Sequence, residues 1–368
     1  MAEQPAEYFV GLMSGTSLDG VDAVLVSFDS SRIECVAAFH LAFDETLRDE
    51  ALALHAVGHD ELHRAALLAN RLAHAYAAAV NALKVSHHGT PAKRIRAIGC
   101  HGQTIRHAPD QGYTLQLNSP ALLAELTGID VVADFRSRDI AAGGQGAPLV
   151  PAFHDAMFRA PDKHRVILNI GGMANLTDLA PGRPTTGFDC GPGNMLLDAW
   201  AQLHLGRPLD EDGCWSRQGT TIPALLDQLH SHPFLAAVPP KSCGREQFNP
   251  DWLRSQLTGS ERAEDVQATL VAFTASAAAE AIRRHCGRPG ELYVCGGGAR
   301  NGALMAALAE RLPDCRVATT DFLGLPVDQV EAAAFAWLAR RTVHRQPGNL
   351  PVVTGARGPR ILGTIYPA

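Results

Sequence analysis

Gly11-Leu12-Met13-Ser14-Gly15-Thr16-Ser17-Leu18-Asp19-Gly20-Val21-Asp22 joins two apolar runs, 8–13 and 21–28, rich in valine, leucine and aromatic residues. Such runs flanking a turn of small residues read as strands. The connection is too short for a crossover helix, so the two strands form an antiparallel hairpin. No Gly-Lys-Ser/Thr follows, so this is not a Walker loop, and the glycine spacing is not a dinucleotide fingerprint. The turn offers backbone N–H groups that an anion can approach closely. Thr16 and Ser17 add hydroxyls, and Asp19 and Asp22 are placed to order water around magnesium. Taken alone, the segment is equally compatible with a plain tight turn.

The second half repeats the theme. A strand over 166–170, a Gly171-Gly172 turn and a returning strand over 174–179 carrying Asn175 form a second hairpin. A third turn, Cys295-Gly296-Gly297-Gly298-Ala299-Arg300-Asn301, lies between a strand over 291–295 and a helix over 301–312. A glycine turn at a helix N-terminus can lay backbone against a phosphate or a flat ring. One such loop is an ordinary connection. Three, each directly after a β-run, point to a duplicated α/β architecture of two lobes with a cleft between them. The texture changes at Asp134, where arginine, aspartate and glycine dominate up to Pro148. That shift places the first lobe at 1–133, rejoined by the C-terminal segment 356–368, and the second at 134–355.

Composition agrees with an ordinary enzyme. A chain of 368 residues exceeds what one core usually supports, and 46% hydrophobic with 19% charged residues excludes disordered and fibrous classes. A net charge of −6 provides no general attraction to nucleic acid or anionic membrane. The 8 cysteines form no CxxC pair, and the first eight residues lack the basic and apolar regions of a signal peptide. No apolar run is long enough to span a bilayer. A cytoplasmic protein with reduced thiols is expected.

Three further segments carry chemistry. Phe188-Asp189-Cys190-Gly191-Pro192-Gly193-Asn194 puts a carboxylate at a strand end before a helix start. Asp189 there is either a general base or a turn-former bonding nearby N–H groups. Cys100-His101-Gly102-Gln103-Thr104 follows a strand, where open α/β sheets bind ligands, and Gln103 suits hydrogen bonding. His101 and His107 lack a third ligand at a supporting spacing, so zinc is not expected. Arg136 either clamps a carboxylate or phosphate or belongs to an Arg–Asp network stiffening a lobe junction. Glu331, alone on an apolar helix, faces either solvent or the cleft, and the polar loop over 240–246 has no evident purpose.

As a set, SGTSLDGVDA, GCHGQTIRH, DFRSRDIAAGGQGAPLVPAFH, NIGGMANLT, FDCGPGN, PKSCGREQFN, CGGGARN and EAAAFAWLA resemble the anhydro-N-acetylmuramic acid kinase family, in the family's order from Gly11 to about Ala339. Cys190 and Cys243 stand where threonine is common in it. The resemblance implies the two-lobed actin-like ATPase fold, with ribonuclease H-like duplicated domains, and use of ATP and magnesium. It implies hydrolytic opening of the 1,6-anhydro sugar with phosphorylation of O6, in peptidoglycan recycling. Asp189 matches the family's catalytic aspartate. Gly15, Thr16, Ser17, Leu18, Asp19, Gly20, Val21 and Asp22 match its ATP segment, and Gly171, Gly172, Asn175, Gly296, Gly297, Gly298 and Asn301 fall in the other two nucleotide turns. Gln103, Arg136, Asp189, Gly191, Asn194 and Glu331 are the expected sugar contacts. A homodimer whose lobes close on substrate is also implied. Two rivals stay open: a kinase of open hexoses on the same fold, and a nucleotide-switched assembly protein. The residues assign no magnesium ligands.

Overall fold

The computed structural model describes residues 6–15, 18–29, 33–86 and 95–368. The chain divides into two compact units, Met1–Phe153 with Gln329–Ala368, and His154–Asp328. The first contains β1 (Glu7–Met13), β2 (Gly20–Phe28), β3 (Ile33–Ala42), β4 (Ile95–Cys100), β5 (Gln103–Ala108), β6 (Tyr113–Leu117) and β7 (Val131–Ala133). Its main sheet runs β3-β2-β1-β4-β7, extended beyond β7 by the C-terminal strand Thr364–Tyr366. β1, β2 and β3 are an antiparallel meander, whereas β1, β4 and β7 are parallel. β5 and β6 form a separate hairpin that periodicity did not reveal.

The second unit contains β8 (Arg165–Ile170), β9 (Met173–Leu179), β10 (Thr186–Pro192), β11 (Glu291–Cys295) and β12 (Arg316–Thr319). Its order is β10-β9-β8-β11-β12, with β8, β9 and β10 antiparallel and β8, β11 and β12 parallel. Strand for strand this repeats the first unit's meander and crossovers. The α/β duplication expected of the actin-like fold is therefore present in the connectivity. The central strands β1, β4, β8 and β11 are nearly continuous apolar runs, buried along most of their length, the pattern of strands covered on both faces.

Two helices fix the cores. Helix Ala263–Ala281 is buried on most of its circumference, and alanine permits this by combining high helix propensity with close approach of neighbours. Helix Val330–Val343 lies directly on β1 and β4. A Cβ at Gly11 would fall 1.8 Å from the Ala332 carbonyl oxygen, and one at Gly99 2.0 Å from that of Phe335. Each fully buried leucine or phenylalanine in such a layer contributes roughly 1.5–3 kcal/mol.

The close approach at Gly11 and Gly99 is why 329–368 belongs to the first unit, where the sequence reading placed the second lobe over 134–355. Asp139 adds a second tie. Fully buried, it accepts hydrogen bonds from the Gly146 N–H (2.8 Å), Asn349 Nδ2 (2.7 Å) and Thr354 Oγ1 (2.8 Å). The glycine-rich segment after Asp134 is thereby bound to the C-terminal tail, and the first division falls at Phe153. Part of that segment, Ser137–Ala141, forms a short helix.

Candidate active site

In the second unit the antiparallel register sets Asp189 on β10 opposite Asn175 on β9, and Asn175 opposite Asn169 on β8. Directly paired residues point to one face, so a carboxylate and two amides form a polar row across an apolar sheet. Pairing shifts between Asp189 and Gly191, where Gly191 adopts φ 144° and lets β10 leave the sheet toward helix Met195–Leu205. Asp189 is half-buried. Burial pushes its pKa up to about 6, against the opposing pull of the Cys243 N–H and the Lys241 charge, while Glu246 pushes the same way as burial. A carboxylate with that affinity is mostly ionised at neutral pH yet basic enough to take a proton.

The loop over 240–246 is what holds this carboxylate. The Asp189 N–H donates to the Lys241 carbonyl (3.2 Å), and the Cys243 N–H donates to Asp189 Oδ2 (3.0 Å). Cys190 turns inward, its Sγ 3.2 Å from the Ala174 carbonyl, and burial drives its pKa up to about 12. Cys243 lies with Sγ 3.6 Å from Met173 Sδ, its pKa likewise raised by burial. Neither thiol is a nucleophile at neutral pH.

The two glycine turns of this unit meet at Asn194. The Asn194 N–H donates to the Gly171 carbonyl (2.8 Å), and the Gly193 N–H to that of Gly172 (2.9 Å). Asn194 Nδ2 donates to the Ile170 carbonyl (3.2 Å). A Cβ at Gly298 would lie 2.4 Å from Ile170 Cγ2 and 3.1 Å from Asn194 Oδ1, and Gly296 takes φ 77°. Gly171, Gly172, Asn194 and Gly296 to Gly298 are thus brought together. Asn301 plays a different part, since its side chain caps helix Gly302–Arg311 by accepting from the Leu304 N–H (3.1 Å).

In the first unit, Ser14 and Gly15 enter the β1–β2 turn, Leu18 leaves it at φ 58°, and Gly20 opens β2. Thr16 and Ser17 lie outside the described residues. Val21 is fully buried, so only its backbone can serve a ligand. Asp22 pairs with His40 on β3, Oδ1 to Nδ1 at 2.8 Å. The Asp19 carbonyl accepts from the Phe43 N–H (3.1 Å). Two side chains set the shape of the turn. Gln103 Nε2 donates to the Gly15 carbonyl (3.1 Å), and its Oε1 is buried without a partner among the described residues. Ser14 Oγ donates to the Gly102 carbonyl (3.2 Å), so the buried Tyr76 hydroxyl, 2.8 Å away, is the donor to Ser14.

Arg136 settles between its two readings in an unforeseen way. Its Nε and Nη2 both donate to His101 Nε2 (3.1 and 3.0 Å), and Nη1 donates to the Gly146 carbonyl (2.7 Å). The guanidinium is bound by a histidine and a backbone carbonyl, and not by an Arg–Asp network. An acceptor Nε2 makes His101 a neutral imidazole protonated at Nδ1. Burial, and then the Arg136 charge, hold its pKa well below the usual value. Burial also lowers Arg136 to about 10 despite the nearby Glu331 and Asp139 charges. Glu331 is half-buried, with its pKa raised by burial and by Asp22 and opposed by Arg136. Its carboxyl thus lies within the influence of the Arg136 and Asp22 charges.

A model of the anhydro-N-acetylmuramic acid kinase family matches residues 7–368. The chain belongs to this family. The anhydro-N-acetylmuramic acid kinase of Chromobacterium violaceum is 56% identical over 365 residues, covering 98% of this chain and 99% of that protein. That of Nitrosospira multiformis is 54% identical, covering 99% and 100%. Among solved structures, the PilM–PilN type IV pilus biogenesis complex overlays with a TM-score of 0.50 at 12% identity, covering 89% of this chain and 97% of that one. That likeness concerns the fold alone. Membership makes the chain a kinase, which supports its use of ATP. Among the described residues, no helix of the kinase is long and apolar enough to cross a membrane.

Sequence reasoning overlooked Tyr76 and Lys241 as partners of the site. Tyr76 is the only aromatic in the alanine-rich helix Glu61–Ser86, which was its one visible signal. Lys241 sits in a loop whose pattern matched the family but whose partner lies 52 positions away, a separation that follows from the numbering of Asp189 and Lys241.

Proposed function

We propose that Asp189 is the general base of this anhydro-N-acetylmuramic acid kinase. Water adds to C1 of 1,6-anhydro-N-acetylmuramic acid, the C1–O6 bond breaks, and O6 takes the γ-phosphoryl group of ATP. ADP and N-acetylmuramic acid 6-phosphate leave, and the proton of the water passes to Asp189. The observation that carries this role is the seating of Asp189: one oxygen is fixed by the Cys243 amide, and the carboxylate's pKa is pushed up to about 6. Phosphoryl transfer chiefly requires positioning and charge stabilisation, so the one group that must move a proton is the base for water.

The Gly15–Asp22 turn, with Gly171, Gly172 and Gly296 to Gly298, holds ATP through backbone amides. Gln103 and Glu331 hold sugar hydroxyls, with Gly191 and Asn194 shaping the approach to Asp189. Arg136 serves the sugar through the His101 and Gly146 framework that it fixes. Magnesium neutralises phosphate charge when bound. No group of three or more acidic, histidine or cysteine side chains fit for a metal occurs among the described residues. That suits an ion held mainly by phosphates and water, with Asp19 and Asp22 ordering the water. A cytoplasmic homodimer completes the proposal, and light scattering checks the dimer.

The test is incubation with Mg-ATP and the anhydro sugar in ¹⁸O-labelled water, with products read by mass spectrometry. One ¹⁸O at C1 and none in the phosphate is the expected result. Phosphorylation of open hexoses but not of the anhydro sugar would refute the substrate. ATP binding with no sugar phosphorylated would favour a nucleotide switch.

A further inference from the structure

We infer that the loop over 240–246 is the positioning device of Asp189, with Lys241 as the residue that seats it and supplies its charge. The inference rests on the reading of Asp189 as the base. Its geometry is independent of that reading.

Both ends of the loop are anchored. Lys241 Nζ donates to the carbonyls of Phe234 (3.1 Å) and Leu235 (3.3 Å) and lies 4.5 Å from the centroid of the Phe234 ring. At the other end Phe248 is fully buried against Phe234 and Trp252, and its N–H donates to the Gly244 carbonyl (3.2 Å). Between these anchors the backbone runs beside β10 and grips Asp189 twice, at its N–H through the Lys241 carbonyl and at its carboxylate through the Cys243 N–H. A merely solvated loop would not bury an aromatic, spend an ammonium on two carbonyls and direct an amide at a carboxylate.

The second grip decides orientation. With Oδ2 held by the Cys243 amide, Oδ1 is the oxygen presented for the proton, and rotation of the carboxylate is restrained. The loop also sets the electrostatics, because Lys241 and Glu246 act on Asp189 with opposite sign. The other groups facing this cluster are the thiols of Cys190 and Cys243, both held protonated by burial, and Arg284 and His285 on the segment Ile282–Cys286, which bear on Lys241. Lys241 itself is lowered by burial, as a partly desolvated ammonium should be.

The experiment compares the full-length enzyme with Lys241→Met, Glu246→Gln and Asp189→Asn, measuring kcat and both KM values from pH 5 to 8.5. Lys241→Met should move the acidic limb of the kcat profile up by about 0.5–1 pH unit, and Glu246→Gln should move it down, with the KM for ATP held within about twofold. A purely structural loop would slow both variants without shifting the limbs in opposite directions. An inactive Asp189→Asn with both limbs unmoved overturns the loop assignment and leaves the base intact. A fully active Asp189→Asn overturns the base reading and this inference with it. If Lys241→Met fails to fold by circular dichroism, the direction of the Glu246→Gln shift decides alone.

Discussion

Replacing Asp189 by asparagine should separate stability from catalysis. The carboxylate titrates near 6 in the folded protein against a reference of 3.8, so the native state binds its proton more tightly than the unfolded chain. Stability therefore falls as pH rises through the window from about 4 to about 6, and above it the full cost of the buried charge is present. The shift of about two units corresponds to roughly 3 kcal/mol at 1.36 kcal/mol per unit, an upper figure because the side chain retains some contact with water. Asparagine has nearly the same shape, keeps an oxygen for the Cys243 N–H, and carries no charge. At pH 8 the variant should be more stable than wild type by about 1–3 kcal/mol, which for a unit of this size raises Tm by roughly 2–10 °C. Near pH 4 the difference should vanish. Turnover should fall about 10²–10⁴-fold, the usual loss on removing a general base. Calorimetry from pH 4 to 8 alongside the mass-spectrometric assay measures both. Equal Tm values at pH 8 would show that the carboxylate is not held at a cost, and wild-type turnover would remove it from the mechanism.

Other perturbations address the frame and the turns. Gly99→Ala should lower stability by about 1–3 kcal/mol or more, because its Cβ would fall 2.0 Å from the Phe335 carbonyl oxygen; an unchanged melting curve would contradict the helix placement. Gly298→Ala should raise the KM for ATP at least about tenfold, equivalent to ~1.4 kcal/mol, by displacing Ile170, whose Cγ2 its Cβ would meet at 2.4 Å, and change the sugar KM by less. Equal effects on both substrates would argue against a nucleotide turn. Arg136→Lys keeps the charge but loses the fork onto His101, so it should destabilise by about 1–3 kcal/mol and raise the sugar KM; neutral behaviour in a thermal melt would show the fork to be dispensable.

Much of this protein was legible in the residues. The runs at β1, β2, β8 and β11 announce themselves because a buried strand is apolar along most of its length, and β9 follows as the returning arm of the Gly171-Gly172 turn. Duplication followed from those local signals, and the family from the order of the motifs. The β5–β6 hairpin escaped because its strands are short and its apolar alternation points the wrong way: Tyr113 and Leu115 are exposed while Thr114 between them and the polar Gln103 are buried.

What tertiary structure alone decided was the direction of polar side chains. An arginine reads the same whether it grips a ligand or a histidine, and only the placement of His101 beside Arg136 turned that fork inward. Glu331 looked like a lone acid on an apolar helix until the packing of that helix on β1 and β4 set its carboxylate near the charges of Arg136 and Asp22. Lys241 carries no signal of its own, since its effect on Asp189 depends on a loop closing over a strand distant in the chain. Periodicity records which face of an element is dry. The partner of a polar group depends on where another segment comes to rest, and that is set by the packing of the whole unit.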